Sequence, residues 1–159
     1  MDNNEALKKL VAQGLAALKS GGQLGSQAAA DIESDARNPE LKAALREGSQ
    51  TAQEWATRID RALQEAGGAE DTDNPIIKAH YEVGNRIRQS APDDYSRDLG
   101  IIASGQLALH YWIAAFGTMK SYASQLGLSQ TEQDMEKSLD EAKAGDKKMT
   151  EIAMSILQS

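Results

Sequence analysis

Two histidines, with the carboxylates around them, are the side chains on which metal-dependent or acid–base chemistry in this chain would depend. A di-iron centre in a helical bundle needs four inward carboxylates and two histidines, because two divalent ions in a dry core require several anions. Neither His80 nor His110 has a Glu three residues before it; Ile77 and Leu107 stand there instead. The spacing therefore argues against a two-metal site. We interpret His80 as a surface or interface residue and His110 as a structural histidine, with a ligand or proton-handling role as its alternative.

Asp146 is the other side chain whose position is unusual. It interrupts the apolar stripe of the last predicted helix, which reads Met135, Leu139, Ala142, Asp146, Met149, Ala153 and Ile156. A buried carboxylate needs hydrogen-bond partners, so we expect a hydroxyl or an indole across the core to bind it. The chain has no cysteine, which excludes thiolate ligands, cysteine nucleophiles and disulfides.

Composition narrows the possible functions further. A net charge of −7 and a sequence pI near 4.8 argue against nucleic-acid binding as the main activity. The segment MDNNEALKKL lacks the basic and apolar pattern of a signal peptide, and no run approaches the roughly 18 apolar residues of a membrane span. We therefore expect a cytoplasmic protein without membrane contact, folded as a single domain over residues 1–159.

The segment 105–119, GQLALHYWIAAFGTM, is the least polar in the chain and predicts a central helix that begins near Tyr95 or Ser96 and ends at Gly127. Its large side chains share one helical stripe: Ile102, Leu109, Trp112, Phe116, Met119, Ala123 and Leu126. A second face carries mostly small residues: Ala103, Leu107, His110, Ala114, Gly117 and Ser121. We expect this helix to pack on both faces, at the centre of a bundle.

The remaining helices are predicted from caps and breakers. Asn3 or Asn4 begins the first helix, and local propensity leaves open whether Gly21-Gly22 divides it. Asn38-Pro39 begins a second helix that runs to Ala66, with Gly67-Gly68 after it. Its expected inward residues are Leu41, Leu45, Gly48, Thr51 or Ala52, Trp55, Ile59, Ala62 and Leu63.

A short helix and a last long helix complete the predicted architecture. Asn74-Pro75 begins the short helix, which extends to about Gln89 with Ile76, His80, Val83 and Ile87 inward. Ser129 and Glu132 match a capping box for the last helix. The elements predict an all-α, ferritin-like antiparallel four-helix bundle, with a short extra helix between the second and third long helices.

Several segments resemble the YciE/YciF-like family of bacterial ferritin-like proteins. They are Asp98-Leu-Gly-Ile-Ile-Ala-Ser-Gly-Gln106 with His110-Tyr-x-Ile-Ala-Ala-Phe-Gly-Thr118, the start of the second helix at Asn38–Leu45, and Leu139–Thr150 in the last helix. The resemblance implies that Gly21-Gly22 lies inside one long first helix.

The same resemblance implies where metal ligands would be, and most of those positions hold other residue types. The implied positions, with the residues that flank them, are Gly22, Thr51, Glu54, Trp55, Leu109, His110, Trp112, Ala142 and Asp146. Gly, Thr, Leu, Trp and Ala cannot replace carboxylate ligands. Leu109, Trp112 and Trp55 are large enough to fill the space, each gaining roughly 1.5–3 kcal/mol by burial. We expect a dry, hydrocarbon-filled interior with no metal, no cofactor and no catalytic residue.

The expected function is that of a metal-free, stress-associated structural or partner-binding protein, either a homodimer or a hetero-oligomer with a related bundle. One alternative is an iron or manganese oxidase or ferroxidase with an unusual site near Asp146, His110 and Glu54. Another is a carrier of apolar ligands, which requires a cavity of several hundred Å³ between the helices. Two tryptophans at that place argue against the carrier.

Overall fold

A computed structural model describes residues 1–159 as five helices and no strand. They are α1 (Asn3–Asp35), α2 (Pro39–Glu65), α3 (Pro75–Ser90), α4 (Asp94–Gln125) and α5 (Ser129–Gln158). The four long helices form the antiparallel bundle, and the short α3 packs across α1 and α4. This is the architecture that the sequence predicts.

Side-chain caps fix most helix starts. Asn38 and Asn74 accept hydrogen bonds from the amides of Leu41 and Ile77 at 3.0 Å, as predicted. The expected cap of α1 at Asn3 or Asn4 is wrong, because Asp2 forms a capping box with Glu5 one residue earlier. Asp93 caps α4, which begins at Asp94, slightly before the predicted start. The glycines predicted to end helices, Gly67, Gly68 and Gly127, all have positive φ.

The start of α5 corrects a second prediction. Ser129 and Glu132 form no capping box; Leu128 occupies the cap position, and its side chain has no acceptor for the free amides. The carboxylate of Glu65, at the end of α2, accepts from the amide of Thr131 at 2.7 Å and from its hydroxyl at 2.7 Å. Partial burial raises the pKa of Glu65, but the bonds from Thr131 and Gln130 outweigh it, so the pKa is lowered overall.

α1 is continuous through Gly21-Gly22, in agreement with the family resemblance. A Cβ at Gly21 would lie 2.9 Å from Asn74 Nδ2, and one at Gly25 would lie 2.7 Å from the hydroxyl of Tyr81. Glycine at these positions lets α3 approach α1 closely. Burial also raises the pKa of Tyr81.

The buried residues form two separate clusters. The aromatic core contains Val11, Ala12, Leu15, Leu18, Trp55, Ile59, Ala62, Ala66, Ile77, Trp112, Phe116, Met119, Met135 and Ala142. The aliphatic core, towards the other end of the bundle, contains Ala36, Leu41, Ala44, Ile101, Ile102, Ile152 and Ile156. The predicted large-residue stripe of α4 is thus confirmed, with Leu109 and Leu126 half-buried at its edge.

Between the two cores lies a layer that we call the waist: residues 22–35 of α1, 45–54 of α2, 103–111 of α4 and 143–151 of α5. No residue in these ranges is fully buried. Hydrogen bonds between pairs of waist residues on neighbouring helices place the four ranges at one level. They join Arg46 to Glu33, Lys148 to Glu47, Gln106 to Thr150 and His110 to Asp146.

Two predicted packing faces are wrong. On α3 the buried residues are Ile77, Gly84 and Arg88, whereas Ile76 and Val83 are exposed. The helix is turned by about one residue because Asn74 and Ile77 pack against α1 at Gly21.

The small-residue face of α4 is mostly exposed, including Ala103, Leu107, His110, Ala114 and Ser121, because α4 buries only its large-residue stripe. Gly48 of α2, expected to face inward, is exposed as well. By length and composition alone α4 could cross a membrane. Within the chain, 22% of its apolar window is buried.

Candidate functional site

The residues singled out by the sequence converge on one part of the bundle. Gly22, Thr51, Glu54, Leu109, His110 and Asp146 lie in the waist, whereas Trp55, Trp112 and Ala142 lie buried at the adjoining edge of the aromatic core. All four long helices contribute to this region. It is therefore the place to test for a bound group.

Aromatic rings fill the side of this region that faces the aromatic core. The ring centroids of Trp55 and Trp112 are 5.7 Å apart, and Phe116 lies 5.0 Å from Trp55 and 5.3 Å from Trp112. Both indoles are 7% exposed, and Trp112 reaches across to α1, where its Cη2 lies 3.5 Å from the Cβ position of Gly21. These rings gain area burial and the extra attraction of offset and edge-to-face contacts.

Asp146 does not bind a hydroxyl or an indole across the core, which corrects the prediction. Its Oδ2 pairs at 3.0 Å with Nε2 of His110, whose side chain is 65% exposed. The pair forms at the outer edge because the small-residue face of α4, which carries His110, is turned to solvent. Oδ1 of Asp146 is buried without a hydrogen-bond partner, and so is Nε1 of Trp55.

Arg58 is a central residue of this region that the sequence interpretation missed. Its buried guanidinium donates to Ser138 Oγ at 3.2 Å, to Glu54 at 3.1 Å and to Glu141. Glu54 is 62% exposed and bound to this cation, so it does not join the pair of Asp146 and His110. The available signal was the spacing of Glu54 and Arg58, which places them on one face of a helix.

Asp98 is a second residue whose role was missed. The buried carboxylate accepts from the backbone amides of Arg37 and Asn38, both at 2.8 Å, and so holds the turn between α1 and α2 against α4. It is the first residue of the quoted family segment, which was the signal available.

The residues present do not fit a di-metal centre. No group of three or more His, Asp and Glu side chains lies close enough to hold a metal ion. Of the remaining positions, Ala142 is fully buried, and Leu109 is half-buried with its Cδ2 3.6 Å from the Cβ position of Gly145. Neither supplies a donor atom.

Two surface grooves are large enough to hold a small ligand. One, of about 550 Å³, lies near Lys8, Lys9 and Gly67, and the other, of about 430 Å³, lies between Lys19, Gln23 and Asp73. Neither is lined by the tryptophans, and the second is lined almost entirely by polar residues. They give no support to an apolar-ligand site between the helices.

Comparison with known proteins gives consistent results. Residues 23–159 match the model of the family described as a domain of unknown function, DUF892. Protein YciF of Escherichia coli (strain K12) is 35% identical over 74 residues, which cover 46% of this chain and 45% of that protein, less than half of either.

Two solved structures share the fold. The crystal structure of the E. coli stress protein YciF matches with a TM-score of 0.92 at 23% identity, covering 96% of this chain and 98% of that one. YcfI, a proposed structural protein from Rhodopseudomonas palustris, matches with a TM-score of 0.86 at 23% identity, covering 91% of this chain and 92% of that one.

Proposed function

The chain belongs to the DUF892 family and is a YciF-like helical bundle, and from this we propose that it is a metal-free, non-catalytic scaffold of the stress response that acts by binding a partner. The descriptions of two proteins that share its fold, a stress protein and a proposed structural protein, support this role. We further propose a cytoplasmic location, which fits an acidic chain without cysteine.

The observation that carries the proposal is the replacement of ligand positions by packed hydrocarbon. Trp55 and Trp112 pack with their ring centroids 5.7 Å apart where the resemblance places donors, and Asp146, the inward carboxylate that remains among these positions, is hydrogen-bonded through Oδ2 to His110. Arg58 supplies a fixed internal cation for Glu54. Glu54 and Asp146 each have a partner already, and no third donor lies close by, so the region has little to gain by binding iron or manganese.

Metal analysis of the purified chain tests this part of the proposal. After incubation with Fe(II) or Mn(II) and desalting, we expect well below one ion per chain and no oxygen consumption above that of Fe(II) alone. Stoichiometric metal, or an iron-dependent oxygen uptake lost in Asp146→Ala, would establish the oxidase alternative instead.

We infer the place where a partner binds from an exposed apolar surface. Ile76, Val83 and Leu107 are 58%, 46% and 59% exposed, and α3 packs beside α4, so they form an outer patch on neighbouring helices. The exposed small residues of α4 continue this patch along the helix. Exposed apolar surface of this kind marks interaction sites, and small side chains allow another helix to approach closely.

We assign this outer patch to a second copy of the chain. A helix that brings its exposed face against the same face of a copy makes a self-complementary contact, as a two-fold dimer requires. Lipid is a poorer occupant, because α4 buries Trp112 and Phe116 in the bundle and packs most extensively against the highly charged α5. The net charge of −7 opposes nucleic acid.

Light scattering during gel filtration tests the dimer with matched variants. Leu107→Glu places a charge in the outer patch and should convert a dimer of the 17.1 kDa chain to monomer. Leu10→Glu is the control, because Leu10 is similarly exposed, at 51%, but lies on α1 outside the patch. A wild-type monomer at micromolar concentration contradicts the homodimer; if that monomer binds a related bundle when the two are mixed, the partner is a hetero-oligomer.

A further inference from the structure

Two buried polar atoms are left without a partner in the chain, and both border the waist. They are Nε1 of Trp55 and Oδ1 of Asp146. Buried side-chain donors and acceptors in folded proteins nearly always have partners, from the protein or from an ordered small molecule. Two neighbouring exceptions of opposite type therefore point to a missing third group.

The register of α2 against α5 brings the two side chains to neighbouring levels of the bundle. Hydrogen bonds from Arg58 to Ser138 and from Lys148 to Glu47 fix the register of α2 against α5. Trp55 and Asp146 lie between these two hydrogen-bonded pairs along the bundle. In that register the backbone atoms of Trp55 and those of Asp146 lie roughly 7 Å apart along the bundle axis, at a rise of about 1.5 Å per residue. Helical side chains lean towards the start of their own helix, and α2 and α5 are antiparallel, so the indole and the carboxylate lean towards each other.

The waist leaves room for a small molecule. It contains no fully buried residue, and a Cβ added at the half-buried Gly105, between Ile102 and Leu109 of the α4 stripe, would meet nothing within 4 Å. The bond from His110 to Oδ2 fixes the carboxylate of Asp146 so that Oδ1 points inward. The orientation of the free oxygen is thus set from the surface.

The chemistry of the two atoms selects the class of molecule. An indole N–H only donates and a carboxylate only accepts, so the bridging group must accept from one and donate to the other. A cation would bind Asp146 but meet the positive end of the N–H dipole, and an anion would be repelled by the carboxylate. A neutral hydroxyl satisfies both.

We propose that the waist binds one neutral hydroxyl-bearing molecule, water or a small alcohol, which accepts from Trp55 Nε1 and donates to Asp146 Oδ1. The site lies inside a single chain and does not depend on the second copy at the outer patch. It converts the place where relatives are expected to hold ions into a hydrogen-bonding site.

Proton NMR of the full chain tests the site without relying on a variant. The chain has two tryptophans, so two indole N–H signals are expected, assigned with Trp55→Phe and Trp112→Phe. The signal of Trp55 should show a rotating-frame Overhauser cross-peak to bound water or to a solute hydroxyl, and the signal of Trp112 should not.

Two substitutions of Asp146 test whether the acceptor oxygen itself is needed or only a side chain of the same shape. In Asp146→Asn the amide oxygen must accept from His110, which turns the NH2 donor to the Oδ1 position, so the cross-peak should weaken; Asp146→Ala removes both polar atoms and should abolish it. In a crystal structure, a single-oxygen peak between the two atoms identifies water. A larger feature, with a matching mass in native mass spectrometry, identifies an alcohol.

Three results overturn the proposal. They are the absence of the wild-type cross-peak, a direct indole–carboxylate bond in the crystal, and a cation between the two atoms. The metal analysis described above separates the last result from a failure of the dimer, because it does not depend on association.

Discussion

The aromatic core and the waist lie next to each other on the same four helices, and they are packed in different ways. In the aromatic core, Trp55, Trp112 and Phe116 pack ring against ring with little exposure. In the waist no residue is fully buried, and polar side chains bond at the rim, as His110 does with Asp146. The packed layer supplies stability, and the open layer retains unused hydrogen-bonding capacity.

The largest difference is expected for truncations on α4. Phe116→Ala removes a fully buried ring from the aromatic core and should lower the free energy of unfolding by about 3–5 kcal/mol. Leu109→Ala, in the waist, removes a half-buried side chain and should cost about 1–2 kcal/mol. Urea denaturation followed by circular dichroism measures both. Equal losses would mean that the waist is as tightly packed as the core.

The second comparison uses two carboxylates. Asp98 satisfies two backbone amides from a buried position, so Asp98→Ala should cost about 2–3 kcal/mol. Asp146→Ala removes a carboxylate with one partner and one unsatisfied oxygen, and should cost about 1 kcal/mol or less. Thermal unfolding of both variants is the measurement. A larger loss for Asp146 would show that the waist depends on its carboxylate.

Glycine-to-alanine substitutions should give a smaller difference between the tightly packed positions and those of the waist. Gly21→Ala places a Cβ 2.9 Å from Asn74 Nδ2 and 3.3 Å from Ile77, so it should destabilise by about 1–3 kcal/mol. Gly22→Ala and Gly48→Ala meet no atom within 4 Å and should stabilise by about 0.5–1 kcal/mol, since alanine favours the helix. The urea concentrations at the midpoints of unfolding measure these changes in stability. A stabilising Gly21→Ala would contradict the close packing of α3 on α1.

The smallest effect concerns pH at the start of α5, beyond the aromatic core. The pKa of Glu65 is lowered in the folded chain, so its stabilisation is complete above the ordinary carboxyl pKa and is lost as pH falls through the folded value. Between about pH 5 and pH 3, Glu65→Gln should therefore lose less stability than the wild type. Because Glu65 is partly exposed, we expect a shallow difference in the pH titration of the melting temperature. Identical slopes would exclude this role.

Local sequence signals predicted the architecture well wherever the deciding contacts are close along the chain. The Asn-Pro starts at 38–39 and 74–75, the terminal glycines and the apolar stripe of α4 are of this kind. The signals failed where a distant partner decides the outcome. Glu65 replaces a local cap on α5, and packing against Gly21 turns the face of α3.

Sequence reasoning brought the candidate residues to one region of the bundle but did not identify the contacts that they make there. The resemblance brought Trp55, Trp112 and Asp146 to one region, as the structure does. Helical periodicity assigned Asp146 to the interior but could not show that His110, on an exposed face, would bind it. Arg58 was overlooked because the partners that allow its charge to be buried, Ser138 and Glu141, lie 80 and 83 residues further along the chain.

The carboxylate of Glu65 ties the first residues of α5 to the end of α2, 66 positions earlier in the chain. The carboxylate of Asp98 in turn binds amides at the junction of α1 and α2. Each hairpin thus supplies the acceptor that the other lacks. A chimera that joins the first hairpin of one relative to the second hairpin of another will be well formed only when the first parent supplies an acid at the position of Glu65 and the second supplies one at the position of Asp98.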